Sequence, residues 1–391
     1  MKDTYLESGF GDLQAKGHLS RLTEADSGKK AELSLNLKNV ALDRLPQLKQ
    51  SGVSGKTGLN LEAMVTLPSD GTFSRGTLML HTTPYDSAIV FQGKALIMDA
   101  LHSLDVDAGW NDHHINLESL HMDTDFGSVA AKGEINIQKR SGRVMTIADL
   151  TDLQRFSEVL SPVITNLPED LALSGAAKID ATVSGDFDSP VLACRVSGTD
   201  LRAMAFSAKE MTAQGEWRGP ISGLDAKVSL KLAGFEGQGN QINVIDAEAI
   251  VKNESSTFTI AVDHEKGHQV DMSGKVRWGK DRPTEMAIEH LTLKTDRLGA
   301  FATLKNQGPI RLTWHQGTVQ VASFRVASKQ TKFDLSGHVA TQGAKGLDLT
   351  ITSDNLKLSD LPLPASNEIS IEGILDLDLL VTGTLQAPEV S

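Results

Sequence analysis

Period-two alternation of apolar and polar residues constrains the fold of this chain more than any other feature. In "AELSLNLKN", Leu33, Leu35 and Leu37 face one way and Glu32, Ser34, Asn36 and Lys38 the other. "AKVSLKL" sets Val228, Leu230 and Leu232 against Lys227, Ser229 and Lys231, and "GLDLTIT" does the same with Leu347, Leu349 and Ile351. Successive side chains of a strand point to opposite faces, so each such segment has one apolar and one polar face. That is the mark of an antiparallel sheet wetted on one side.

A second segment tests this reading. His264-Glu265-Lys266-Gly267-His268 matches H-E-x-x-H, the zinc-protease pattern. That chemistry needs a helix, which brings the two histidines to one face around a metal. The flanks have period two instead: Phe258, Ile260 and Val262 before the motif, Val270 and Met272 after it. A three-residue turn over 265–267, with Gly267 in the left-handed position, would pair His264 with His268, Val262 with Val270 and Ile260 with Met272. The expectation is a hairpin, with no protease and no metal site.

Composition narrows the field. The chain has 391 residues, more than most single cores accommodate, so several domains or an elongated repeat is expected. Aromatic residues are 5%, which leaves few bulky anchors for a deep core. The net charge of −12 argues against nucleic acid and against polybasic docking on anionic headgroups. The single cysteine, Cys194, excludes an internal disulfide and alternates with Leu192 and Val196 as a small apolar residue. There is no run of 18 apolar residues, and no signal peptide is expected within these residues. Met1 leads straight into repeat-like sequence and the last residues stop in mid-motif, so a segment of a longer protein is expected, with its anchors outside it.

Internal repeats organise the chain. "LSGAAKIDATVSGDFDSPVL" (173–192) aligns without gaps on "IEGILDLDLLVTGTLQAPEV" (371–390). Gly175, Asp180, Gly185 and Pro190 fall on Gly373, Asp378, Gly383 and Pro388; Ala177, Ile179, Ala181 and Val183 fall on Leu375, Leu377, Leu379 and Val381. A shorter word with a glycine in mid-strand recurs around Gly17, Gly93, Gly133, Gly215, Gly274 and Gly337. Such glycines mark bulges, bends or close backbone approach, and would let a long sheet curl. "NVALDRLP" (39–46) matches "NLKLSDLP" (355–362). Repeats of this kind imply a stacked, quasi-one-dimensional architecture.

One segment departs from the alternation. Leu150, Leu153, Phe156 and Leu160 have helical spacing, with Asp149 or Thr151 as N-cap and Pro162 as a stop. A short amphipathic helix is expected within 149–162, plugging part of the sheet. In "NDHHINLESLHMD", Asp112, His114, Asn116 and Glu118 share one strand face, which reads as solvated surface. The chain carries no P-loop, no G-x-S-x-G and no catalytic constellation, so an enzyme is not expected and no cofactor is implied.

The "V-[ST]-G-x-x-x-x-P-x-[VL]" word at 183–192 and 381–390, with the "L-x-x-L-P" lead-in at 42–46 and 358–362, resembles the repeats of the AsmA-like and TamB family of diderm envelope proteins. The resemblance implies a long β-sheet folded into a groove with an apolar interior. It also implies a place in the periplasm, an inner-membrane anchor through an N-terminal helix outside this chain, and phospholipid as cargo. For TamB-like members it implies an outer-membrane barrel protein as partner.

The residues lead to the same picture. A curled sheet with an apolar lining and few aromatics to fill it would accept acyl chains, each buried CH₂ contributing about 0.8 kcal/mol. The expected fold is therefore all-β: an elongated, repetitive, mainly antiparallel sheet over 1–391, curled into a groove. Its expected lining is Leu33, Leu35, Leu37, Ile179, Ala181, Val183, Val228, Leu230, Leu232, Ile260, Val262, Val270, Met272, Leu349, Ile351, Leu375, Leu377 and Leu379. Gly175, Gly185, Pro190, Gly274, Gly337, Gly373, Gly383 and Pro388 are expected at turns or bulges. The leading functional expectation is a periplasmic lipid conduit. The rivals are an assembly factor for barrel proteins that templates strands by β-augmentation, and a β-solenoid with a filled core.

Overall fold

The computed structural model describes residues 2–8, 11–21, 28–41, 53–68, 75–91, 94–96, 100–160, 173–219, 225–237, 239–279, 282–295, 302–328, 331–340, 346–357, 373–384 and 387–391. Side chains are described at 58, 60–67, 75–84, 100–159 and, from 173 on, at every described residue. The fold is all-β and antiparallel, with one short helix among the described residues. The chain forms two compact units, Met1–Pro220 and Ile221–Ser391.

The first unit carries β1 (Lys2–Ser8), β2 (Gly11–Arg21), β3 (Gly28–Ala41), β4 (Val53–Pro68), β5 (Arg75–Phe91), β6 (Lys94–Leu96), β7 (Leu101–Asn111), β8 (His114–Thr124), β9 (Gly127–Asn136) and β10 (Ser141–Leu150). Helix α1 (Leu153–Leu160) follows, then β11 (Leu173–Asp186), β12 (Ser189–Ala203) and β13 (Phe206–Arg218). Each strand pairs with the next in sequence, except that β5 pairs with both β6 and β7. Sequential hairpins are what short connections between alternating strands produce.

The second unit carries β14 (Asp225–Gly237), β15 (Asn240–Lys252), β16 (Ser255–His264), β17 (Gln269–Gly279), β18 (Arg282–Lys294), β19 (Thr303–Asn306), β20 (Ile310–His315), β21 (Thr318–Ser328), β22 (Thr331–Ala340), β23 (Leu347–Lys357), β24 (Ile374–Gly383) and β25 (Pro388–Val390). Its order is again sequential, but β18 and β21 each pair with both β19 and β20, which lie end to end as one interrupted strand. Asn306 bridges the interruption. Its Oδ1 accepts the Leu291 N–H at 2.9 Å, and its Nδ2 lies 2.9 Å from the carbonyl oxygens of Glu289 and Gly308. The side chain thus replaces ladder bonds that the backbone cannot make there. Asn306→Ala leaves the amide of buried Leu291 without its acceptor, so we expect a loss of about 1–3 kcal/mol. Urea denaturation reads the loss, and faster hydrogen exchange at Leu291 localises it.

The H-E-x-x-H segment is a hairpin. Phe258 lies opposite Gly274, Ile260 opposite Met272 and Val262 opposite Val270. The His264 N–H donates to the His268 carbonyl at 2.8 Å, and Gly267 has φ +76°. The two imidazoles flank a turn, which is the strand geometry and not the helical one a zinc protease needs.

The two aligned copies are built alike. Gly185 lies opposite Pro190 and Gly383 opposite Pro388, with φ +97° and +94° at the two glycines. Gly175 sits at a register shift of β11, and Gly373, φ +146°, immediately precedes β24. The recurring strand glycines have a common role. A Cβ on Gly133, Gly274 or Gly337 would meet the carbonyl oxygen of Arg143, Ala287 or Asp348 at 2.2, 2.3 or 2.0 Å. Each of the three also lies at a register shift between paired strands. Gly93, both "L-x-x-L-P" words and Pro162 lie outside the described residues.

The helix is shorter than its spacing suggests. Asp149 and Leu150 still belong to β10, opposite Lys178 and Ala177, because period two persists to the strand's end. The N-cap is Asp152, not Asp149 or Thr151: its Oδ1 accepts the Arg155 N–H at 2.9 Å. Leu153 is buried with Ala100, Phe126, Leu150 and Ala177, and Phe156 stands edge-on to Phe126 at 5.4 Å.

Candidate functional site

In an antiparallel pair, residues directly opposite share a face. Following the register therefore traces each face across the strands. In the first unit one row runs from Leu61 through Thr82 and Leu104 to Met122, then through Val129, Ala148 and Ile179 to Val196 and Ala213. The row beside it includes Leu80, Val106, Leu120, Ala181 and Cys194. No charged residue interrupts the first row across nine strands.

The second unit has an equivalent face. Leu230, Ala247, Ile260, Met272 and Leu291 form one row. Leu312, Val321, Gly337, Leu349 and Val381 form another. Met286 lies opposite Leu312 and joins the earlier strands to the later ones.

All the residues expected to line the apolar face take register positions on these two faces. The backbone puts Leu33 opposite Ala63, Leu35 opposite Leu61 and Leu37 opposite Leu59; the side chains of these three leucines lie outside the described residues. Ile179, Ala181, Leu230, Leu232, Ile260, Val262, Val270, Met272, Leu349, Ile351, Leu377 and Leu379 are half-buried. Val183, Val228 and Leu375 are 47%, 45% and 39% exposed. Cys194 is half-buried on the same face.

Among the described residues, two hydrophobic clusters lie on these faces, and Thr82, Thr331, Ser353 and Leu356 are buried there besides. In the first unit α1 lies on the face, and Ile179 packs against the cluster it forms with Leu150 and Ala177. In the second, Ile288, Leu291, Ile310 and Val326 are buried together, and Val270 and Met272 pack against them. A side chain on one face of a flat single sheet keeps water above it. Ile310 is 0% exposed, so the sheet of this unit curls over it. Alternation alone could not reveal these covered patches, because it gives a residue's face and not what lies above that face.

The opposite faces are solvated. They carry exposed ion pairs such as Lys275–Glu289 at 2.8 Å and Arg325–Asp334 at 2.5 Å, and a His81–Asp105 hydrogen bond at 2.5 Å. Pairs this exposed contribute little to stability and mainly keep the surface wet. Met79 and Ile147 are exposed there as well, at 51% and 47%.

The histidine segments assemble nothing further. His114 meets Asn136 at 2.9 Å on the wet face of β8, and Asp112 lies in the preceding turn. His264 accepts the Lys266 N–H at 3.1 Å, and His268 contacts the Thr295 hydroxyl at 2.7 Å. Among the described residues no group of three His, Cys, Asp or Glu is placed to hold a metal, and no helix is long and apolar enough to cross a membrane.

Sequence reasoning missed three polar atoms on the apolar faces. Thr82 Oγ1, Trp217 Nε1 and Ser353 Oγ are buried without a hydrogen-bond partner. The only sequence signal was a hydroxyl or indole at an apolar-phase position of its strand. The chain matches no protein-family model, no curated protein and no solved structure.

Proposed function

We propose that this chain is a segment of a periplasmic bridge that carries phospholipid between the inner and outer membranes, its acyl chains lying on the apolar faces. The observation behind the proposal is that each unit has an apolar face running unbroken from strand to strand, yet most of its lining is only half-buried. An ordinary domain covers such a face with a second layer. Here, among the described residues, α1 lies on part of the first face, and the curl of the second buries a patch around Ile310. Acyl chains would supply the missing layer, at about 25 cal/mol per Å² of apolar surface removed from water. The wet, charged outer faces keep the sheet in solution. Movement along the face would be passive, with the protein acting as a conduit and not as an enzyme. Anchoring to the inner membrane and contact with an outer-membrane barrel protein belong to the same reading, through parts of the protein beyond this chain.

Adjacent positions on β24 test it. Leu377 is half-buried on the apolar face, and Asp378 is exposed on the other. A photo-crosslinking amino acid at Leu377 should capture radiolabelled phospholipid in cells, and the same group at Asp378 should not. Equal labelling at both positions, or none at Leu377 in folded protein, would reject the conduit.

A further inference from the structure

The two apolar clusters are covered in different ways. In the second unit Ile288, Leu291, Ile310 and Val326 belong to β18, β20 and β21, which pair with one another, and the residues packed on them also come from strands. That cover cannot leave without breaking ladder hydrogen bonds. In the first unit the cover is a helix. Leu153 of α1 is buried on Ala100, Phe126, Leu150 and Ala177, and Phe156 and Val159 pack against the same cluster.

Among the described residues, backbone hydrogen bonds tie this segment to the sheet only at its start. The Thr151 and Asp152 N–H groups donate to the Phe126 carbonyl at 2.9 and 3.3 Å. From Leu153 onward the hold is by side chains, with an Arg155–Asp125 ion pair at 3.8 Å whose partners are 29% and 36% exposed. Such a pair adds little. The helix can therefore swing about Thr151 and Asp152 without disturbing any strand pairing.

What α1 covers is carbon. Leu150 is 1% exposed and Ala177 9%, and the row through Ala148 and Ile179 lies beside them. Lifting the helix would wet this patch unless another apolar surface took its place. An acyl chain is such a surface. It cannot lie over the docked helix, whose Gln154 and Glu158 are exposed on the outer side. Helix and acyl chain are thus alternative covers of one patch. Val183, farther along β11, is 47% exposed, so the face beyond the helix stands open to an incoming chain.

We propose that α1 is a lid on the first apolar face, docked in the absence of lipid and displaced by an acyl chain. This rests on the conduit reading and gives it a regulatory step. The coupling is reciprocal: lipid weakens helix docking by the same factor by which the docked helix weakens lipid binding there.

The test is hydrogen exchange of the full chain with and without a short-chain diacyl phosphatidylcholine below its micelle concentration, with calorimetry reporting that lipid binds. Lipid should lower protection over 153–160 by roughly tenfold or more. The amides of Thr151 and Asp152 should keep theirs, since the swing leaves their bonds to Phe126 intact. Leu153→Asp supplies the reciprocal measurement. With the helix already released, half-maximal lipid labelling of a photo-crosslinking group at Ile179 should need roughly a hundredfold less lipid than with Leu153 present. Bound lipid with unchanged or raised protection over 153–160, or equal labelling doses in the two proteins, would overturn the lid and leave the conduit standing. Loss of protection at Thr151, Asp152 and the flanking strands would overturn it too, because that is unfolding and not a swing. No calorimetric binding to either protein would overturn the conduit, and the lid with it.

Discussion

Gly337→Ala should unzip β22 from β23 and cost about 4 kcal/mol or more, at the extreme of what single substitutions do. Gly337 lies opposite Leu349, with φ +128°, a region L-residues rarely adopt. Its added Cβ would sit 2.0 Å from the Asp348 carbonyl oxygen, 2.9 Å from the Leu349 Cα and 3.0 Å from the Asp348 carbonyl carbon. All three are backbone atoms of the paired strand, so no rotamer change relieves the clash. Gly239→Ala separates the two contributions. Gly239 also has positive φ, +78°, but a Cβ there meets nothing within 4 Å. Its cost should be the backbone strain alone, about 1–2 kcal/mol. Chemical denaturation of the two variants makes the comparison. If Gly337→Ala falls within about 1 kcal/mol of Gly239→Ala, the close approach is not what requires glycine.

Leu153→Asp should release α1 from the first apolar face while leaving most of the sheet paired. Leu153 is 9% exposed and packs with Ala100, Phe126, Leu150 and Ala177. A carboxylate there has no cation within the cluster, so retaining the docked helix would mean burying a charge. Released, the helix does not persist. Its eight residues fall short of the roughly 12–15 that hold a helix in water, and tertiary packing supplies the rest. Losing about 3 kcal/mol of docking energy corresponds to roughly a hundredfold drop in hydrogen-exchange protection over 153–160. Under the conduit proposal the same variant also raises lipid crosslinking at Ile179, which the helix cluster covers. Unchanged protection over 153–160 would mean that the cluster does not hold the helix. Lost protection with no new labelling at Ile179 would count against lipid on that part of the face.

The hairpin at 258–274 was fully legible in the sequence. Alternation on both flanks and one glycine in the loop left a single register that matched apolar with apolar, and the structure has that register. The same logic placed every expected lining residue on one face of its unit, since a slip of one residue would turn a whole strand inside out. The paired copies at 173–192 and 371–390 were legible for the same reason: equal spacing of Gly and Pro around a turn gives equal hairpins. The end of β10 was not. Leu150 and Leu153 satisfy helical spacing, and the pairing of Leu150 with Ala177 and Gly127 showed that the strand runs on to Leu150.

Local alternation, then, determined the strands, their faces and most of their pairing, because each depends on residues close in sequence. It could not determine what covers a face. That Ile310 is sealed while Val183 remains 47% exposed depends on how far the sheet curls. That Leu153 lands on Leu150 and Ala177 depends on a helix folding back across strands. Bulges, end-to-end strands such as β19 and β20, and the helix bring together residues far apart in the chain. Such long-range packing is not written in any single segment, and it left Thr82, Trp217 and Ser353 buried without partners.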